Sequence, residues 1–191
     1  MSEFTDYMQV LTDAASLAAL RGQLVQSVGA ATVPLLDLPY DVIDSESAAE
    51  AAWAALPKPR WVMLGTDAGV TDLANIGPAF HLLVEEDFIS WSVVLICGTN
   101  RWNYAFLRQP DMYREATAQY GDTLLWDGAL HKTELAQMAA CLGTTATALE
   151  PTFIADGGQA FSALIGAHYE QMEDLSYPDL AHGTVEFPFT E

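Results

Sequence analysis

Basic residues are scarce in this chain. It holds 7 lysines and arginines against 26 aspartates and glutamates, which gives a formal net charge of −19 at pH 7. This balance argues against nucleic acid or an anionic membrane as a partner, because phosphate groups would be repelled. No lysine or arginine follows Lys132, so the C-terminal third is purely acidic. The charge favours a basic protein partner attracted electrostatically, and the alternative is that it serves solubility alone.

Cysteines and long apolar runs are also few. Cys97 and Cys141 lie in apolar segments and lack the spacing of metal ligands. We expect both to be buried free thiols in a reducing cytoplasm. Residues 1–6 contain neither a basic nor an apolar region, so no secretory signal is expected, and no apolar run reaches the length of a membrane span. The sequence therefore predicts a soluble, cytoplasmic protein.

Recognisable catalytic motifs are absent from the sequence. There is no G-x-S-x-G elbow, no Gly-rich phosphate loop and no pair of histidines spaced as in a helical zinc site. His168 falls on an apolar helical face, where a structural core histidine explains it better than a metal ligand. A solvated turn likewise explains the acidic residues 85–87 better than a cation site does. We expect no enzymatic activity, no cofactor and no bound metal.

The apolar half of the chain is large enough for a sizeable core, and one run stands out in it. Residues 89–97 form the longest uncharged, β-branched stretch, and the turn-forming residues 98–100 follow at once. So short and apolar a run predicts a central strand buried on both faces of a sheet.

The remaining periodicities predict elements that surround this strand. Ser47 and Glu50 have the spacing of a capping box at the start of a helix, and Gly157-Gly158 precedes the most strongly amphipathic helix, which we expect to reach Leu175. The order of elements predicts an α/β or α+β fold: a mostly buried central sheet, flanking helices and a helical, acidic C-terminal third. We expect one domain over residues 1–175 and an extended tail over 176–191. Further helices are predicted at 14–29, 112–120 and 133–142, a helical turn at 72–74, and strands at 33–38, 60–64, 80–84, 101–108 and 122–126.

Two groups of residues are candidates for partner binding. Aromatic residues and arginines alternate after residue 100, and these residue types dominate the energetics of protein interfaces. The alternative is that Tyr104 packs in the core while the arginines offset surplus acid. The acidic residues near the end of the last helix form the second group. The candidate residues are Trp102, Tyr104, Arg108, Glu170, Glu173 and Asp174, with Arg101, Phe106 and Arg114 beside the first group.

Several short motifs over residues 33–115 occur in the order seen in one bacterial protein family. They are Leu-Leu-Asp at 35–37, Trp-Val-Met-Leu-Gly-Thr at 61–66, Leu-Ala-x-Ile-Gly-Pro-x-x-x-Leu-Leu at 73–83 and Phe-Leu-Arg-Gln-Pro-Asp at 106–111. This part of the chain resembles the N-terminal lobe of the Tap-type adaptor chaperones of type VI secretion.

The resemblance implies a non-enzymatic adaptor that holds a toxic effector and passes it to the secretion apparatus. A second hypothesis is an immunity protein whose acidic surface blocks the active site of a basic toxin. A third, of a different class, is a small enzyme whose site is assembled from scattered residues.

Overall fold

A computed structural model describes residues 4–28, 33–35, 46–65, 70–85, 90–106, 124–125, 132–153, 157–167 and 169. Strands and helices alternate in its first half, and helices dominate its second half. The strands are β1 Phe4–Thr12, β2 Val33–Leu35, β3 Arg60–Gly65, β4 Ala79–Glu85, β5 Ser90–Cys97, β6 Asn100–Phe106 and β7 Leu124–Leu125. The helices are α1 Leu17–Val28, α2 Glu46–Ala55, α3 Val70–Leu73, α4 Lys132–Cys141, α5 Ala146–Leu149 and α6 Gly157–Ile165, with a 3₁₀ turn at Glu150–Thr152.

The strands form one mixed sheet in the order β2-β3-β1-β4-β5-β6-β7. Every neighbouring pair is antiparallel except β6 and β7, which run parallel. An antiparallel sheet with helices packed on it is an α+β architecture, which confirms the predicted fold class.

Strand β5 is the predicted central strand, and the structure confirms its position inside the sheet. It pairs with β4 on one side and with β6 on the other. Val93 and Leu95 are 1% and 0% exposed, and Ile96, on the opposite face, is 4% exposed. Because both faces of β5 are covered in its second half, the strand shows a continuous apolar run rather than an alternating one.

Two hydrophobic cores lie on opposite faces of the sheet. One contains alternate residues of β3 to β6 together with Leu135, Met138 and Phe161 of α4 and α6. The other contains the intervening strand residues with Leu17, Leu20 and Leu24 of α1 and Trp53 of α2. Successive side chains of a strand point to opposite faces, so β3, β4 and β5 each contribute buried residues to both cores.

Strand β1 was missed by the sequence analysis. It lies between β3 and β4, so both of its edges are paired. Val10 and Gln9 point to opposite faces and are both fully buried. Apolar and polar residues therefore do not alternate along this strand, and the period-2 signal of a half-exposed strand is absent.

The predicted capping box at Ser47 and Glu50 is wrong. Helix α2 begins at Glu46, so Ser47 lies inside the helix. The Glu50 carboxylate instead accepts hydrogen bonds from the backbone N–H groups of Leu17 and Ala18, at 2.9 and 2.8 Å. Ser16 Oγ accepts a third from Ala19 N–H. Glu50 thus caps α1 in space, although it belongs to α2.

The last described helix ends ten residues before the predicted end at Leu175. Gly166 follows α6 with a positive φ of 69°, and the Ala167 N–H donates to the Ser162 carbonyl. Gly143 ends α4 in the same way, with the Thr144 N–H donating to the Ala139 carbonyl. Both ends are Schellman motifs, which favour glycine because only glycine adopts the left-handed conformation without strain. The predicted helix at 112–120 and the tail at 176–191 lie outside the described residues.

Candidate functional site

The aromatic residues proposed as a binding surface are buried. Trp102 and Tyr104 are 7% and 2% exposed, on the face of β6 covered by the C-terminal helices. The Tyr104 ring lies 4.3 Å from Phe153 and 5.1 Å from Trp91, centroid to centroid. The prediction that these two residues form an exposed hot spot is therefore wrong, and the alternative that Tyr104 packs in the core is confirmed.

Of the charged residues in the two candidate groups, the structure describes Arg101. Arg101 is exposed, and its Nε donates a hydrogen bond to Asn103 Oδ1 at 3.3 Å. The other charged candidates lie outside the described residues: Arg108, Arg114, Glu170, Glu173 and Asp174.

Cys97 and Cys141 form a disulfide, so the prediction of two free thiols is wrong. The bridge joins the last residue of β5 to the last residue of α4, with a Cα–Cα distance of 6.2 Å across 44 residues of sequence. Neither residue has a close cysteine neighbour in sequence. Their pairing depends on how α4 packs on the sheet, which the local sequence does not encode.

A cleft lies beside this disulfide. Its volume of about 510 Å³ is in the range of small-ligand sites. Its floor contains the buried side chains of Trp61 and Leu142, and Leu11 and Ile165 line it with partly exposed side chains. The rim consists of the segment after α2, with Pro57 and Pro59 exposed and Leu56 partly exposed. It also contains the exposed ends of α4 and α6 (Ala140, Gly143 and Gly166), with Cys141 in the wall.

Arg60 is the one charged residue among the described residues that line the cleft. Its guanidinium carbon lies 5.3 Å from the centroid of the Trp53 ring, and Lys58 Nζ lies 5.7 Å from the same ring. Lys58 Nζ also donates to the Trp53 carbonyl at 3.2 Å. Trp53 in turn is anchored by its Nε1–H, which donates to the Ala14 carbonyl at 2.9 Å. The buried Trp53 ring, which belongs to the core on the other face of the sheet, therefore lies next to two of the chain's seven basic residues.

Trp61 connects the floor of the cleft to its wall. Its Nε1–H donates to the carbonyl of Ile165, the last residue of α6, at 3.0 Å. Its ring packs edge-on against Phe80, 4.9 Å between centroids. Since the ring is held at both sides, the end of α6 is tied to the start of β3, and the cleft has a preformed floor.

Among the described residues, no three His, Cys, Asp or Glu side chains converge as metal ligands would. His81 is partly exposed on β4, while His131, His168 and His182 lie outside the described residues. The described helices also include none with the length and apolar character needed to cross a membrane.

Comparison with known protein families, with curated proteins and with solved structures finds no match for this chain.

Proposed function

We propose that this chain is a non-enzymatic, acidic protein-binding module of a bacterial toxin or secretion system. Its most specific form is an adaptor that binds a secreted effector in the cytoplasm, as the resemblance of residues 33–115 to the Tap-type adaptors implies. The partner is a basic protein or domain.

The charge of the chain is the observation that carries the proposal. A net charge of −19 on 191 residues generates a long-range field that accelerates encounter with a basic protein and repels polyanions. No basic residue follows Lys132, so the acids from Glu150 onward have no basic neighbour in sequence.

Affinity capture tests the proposal directly. The full chain, tagged and expressed in its own host, is isolated with its partners, and a basic effector-like protein is expected in stoichiometric amount. An unrelated tagged protein of similar size and net charge of the opposite sign serves as the control for non-specific binding. Recovery of the chain alone from cells in which the effector is being produced would contradict the proposal, and turnover of a small substrate would favour the enzyme hypothesis.

The disulfide favours a second candidate, an immunity protein that neutralises a toxin outside the cytoplasm. Disulfides persist in oxidising compartments and are rare in the cytosol. An adaptor that loads its effector in the cytoplasm would carry Cys97 and Cys141 as thiols, whereas an immunity protein acting in an oxidising compartment would keep them paired.

Two measurements separate the candidates. Acid quenching of host cells, followed by alkylation and mass spectrometry, reports whether the two cysteines are reduced in the cell. Assay of the captured toxin reports whether its activity is blocked. Reduced cysteines with an active toxin indicate an adaptor, and a disulfide with an inhibited toxin indicates an immunity protein.

A further inference from the structure

We infer that the C-terminal segment of this chain docks in the cleft between β3 and the ends of α4 and α6, with Phe187 and Phe189 as its anchors. This inference is independent of the proposed function, because the cleft and the segment both belong to this chain and no partner takes part.

The lining of the cleft indicates an apolar occupant. Its floor is formed by Trp61 and Leu142, which are 4% and 8% exposed. Leu11 and Ile165 line it with side chains that remain partly exposed to solvent. Apolar side chains placed in the cleft would remove these surfaces from water, which is favourable.

The charges around the cleft indicate that the docked face of the occupant is uncharged. Arg60 is the one charged residue among the described lining residues, and its guanidinium carbon lies 5.3 Å from the Trp53 ring, in the core on the other face of the sheet. The carboxyl ends of α4 and α6, which carry partial negative charge, also border the cleft. A bound anion would meet the helix ends and a bound cation would lie near Arg60, whereas phenylalanine side chains avoid both costs.

The position of the C-terminal segment makes it the nearest source of such side chains. Helix α6 ends at Ile165, which lines the cleft together with Gly166, and Tyr169 packs against the core on the same face of the sheet. Residues 170–186 separate Tyr169 from Phe187. A stretch of that length spans up to about 60 Å when extended, so it can return to the cleft. Because the segment is attached to the fold, its effective concentration at the cleft is high.

The spacing of the two phenylalanines suits a cleft that is open on one side. Phe187 and Phe189 are two residues apart, so their side chains share one face of an extended backbone. Pro188 disfavours the helical conformation at Phe187 and favours the extended one. Glu186 falls on the opposite face of such a backbone, where its carboxylate stays in water.

Photo-cross-linking of the full chain tests the inference. The probe p-benzoylphenylalanine replaces Phe189, and in the control it replaces Tyr177, another aromatic residue of the same segment. After irradiation, mass spectrometry identifies the residues joined to the probe. From position 189 we expect cross-links within one chain to residues 56–61, 140–143 or 165–166, and about tenfold lower yield there from position 177.

Three results would overturn the inference. They are no cross-link from position 189 to the cleft, equal yields at the cleft from the two probe positions, and cross-links that join two copies of the chain, which doubled mass on a denaturing gel reveals.

Two pairs of variants, made in the chain that carries the probe at position 189, locate the contact. Ala140→Phe fills the rim from α4, and Ala148→Phe adds the same ring at an exposed position of α5 that does not line the cleft. Phe187→Ser removes the second anchor, and Tyr177→Ser is its matched control. We expect the first member of each pair to lower the yield of cleft cross-links about tenfold and the second to leave it unchanged.

Far-UV circular dichroism confirms that each variant is folded before irradiation. Ala140 is exposed, so its replacement removes no core contact. Phe187→Ser leaves the cleft itself unaltered and keeps the test decisive even if Ala140→Phe unfolds the chain. A cross-link yield at the cleft that survives either substitution would show that the segment does not dock there through Phe187 and Phe189.

Discussion

At the scale of single residues, the side chains that shape this molecule act on elements to which they do not belong. Glu50 of α2 caps α1, Trp61 of β3 binds the end of α6, and Trp53 of α2 donates to Ala14 ahead of α1. Each contact replaces water at a backbone group that secondary structure alone leaves unsatisfied. The partners of these side chains are distant in sequence, so the spacing of residues along the chain does not reveal the hydrogen bonds.

Replacing Glu50 by alanine tests the cap on α1. The variant leaves the N–H groups of Leu17 and Ala18 without their carboxylate acceptor, at partly buried and exposed positions. We expect a loss of about 1–2 kcal/mol in the free energy of unfolding, measured by urea titration. Glu150→Ala, at an exposed position, is the matched control and should change stability by less than about 0.5 kcal/mol. Equal effects of the two substitutions would show that the cap does not stabilise the fold.

At the scale of elements, β5 organises both cores. It supplies Trp91, Val93 and Leu95 to one face and Ile96 to the other, and it joins α4 through the disulfide. Because β5 contributes to both cores and carries one end of the disulfide, the packing of several helices depends on this strand.

Truncating Leu95 tests the role of β5. Its side chain is fully buried, so Leu95→Ala removes three carbon atoms from a closely packed core and leaves a cavity. We expect a loss of about 2–5 kcal/mol in the free energy of unfolding. Val25→Ala, at a valine that is 44% exposed on α1, should cost far less in the same urea titration. A small effect at Leu95 would mean that the core around β5 is loosely packed.

The disulfide links α4 covalently to the sheet and should stabilise the native state. It closes a loop of 44 residues, and restricting the unfolded chain to that extent stabilises the native state by about 4 kcal/mol in the loop-entropy description. We therefore expect a reductant to lower the urea midpoint of the wild-type chain.

The double variant Cys97→Ser/Cys141→Ser supplies the control for reduction. It should have the lower midpoint with or without reductant, because it has no bridge to lose. A wild-type midpoint that does not respond to reductant, despite complete reduction shown by alkylation, would contradict the expected stabilisation.

At the scale of the whole molecule, the proposed function predicts that net charge controls the rate at which the chain meets a basic partner. Ionic strength from about 0.01 M to about 1 M shortens the Debye length from about 30 Å to about 3 Å and removes long-range attraction. We expect the association rate constant with the basic partner, measured by stopped flow, to fall about tenfold or more over this range. The dissociation rate constant should change less. Association rates that stay flat across salt would mean that the acidity serves solubility alone.

Charge reversal tests whether Glu170, Glu173 and Asp174 accelerate association with the basic partner more than other acidic residues do. Changing Glu170, Glu173 and Asp174 to lysine should slow association at low salt more than changing three exposed acids elsewhere. The matched control reverses Asp13, Asp72 and Glu150, which alters net charge equally. Equal slowing would assign the effect to net charge and would remove these three residues from the proposed contact.

The sequence by itself determined the elements whose burial leaves a periodic trace. The central strand β5, the helix α1 and the strand β3 were all predicted. Each has one or both faces buried, and burial of a face requires apolar residues at regular local positions. The predicted helix over 133–142 was confirmed as α4 for the same reason, and its closing glycine provided a chemical signal of the end.

Only the tertiary structure decided which of these residues meet. It placed β1 inside the sheet, turned Trp102 and Tyr104 into the core, moved the carboxylate of Glu50 to another helix and paired Cys97 with Cys141. The cleft arises in the same way, from segments more than a hundred residues apart in sequence. Contacts of this kind depend on how helices pack on the sheet, and packing is a property of all the elements together, so no local pattern contains it.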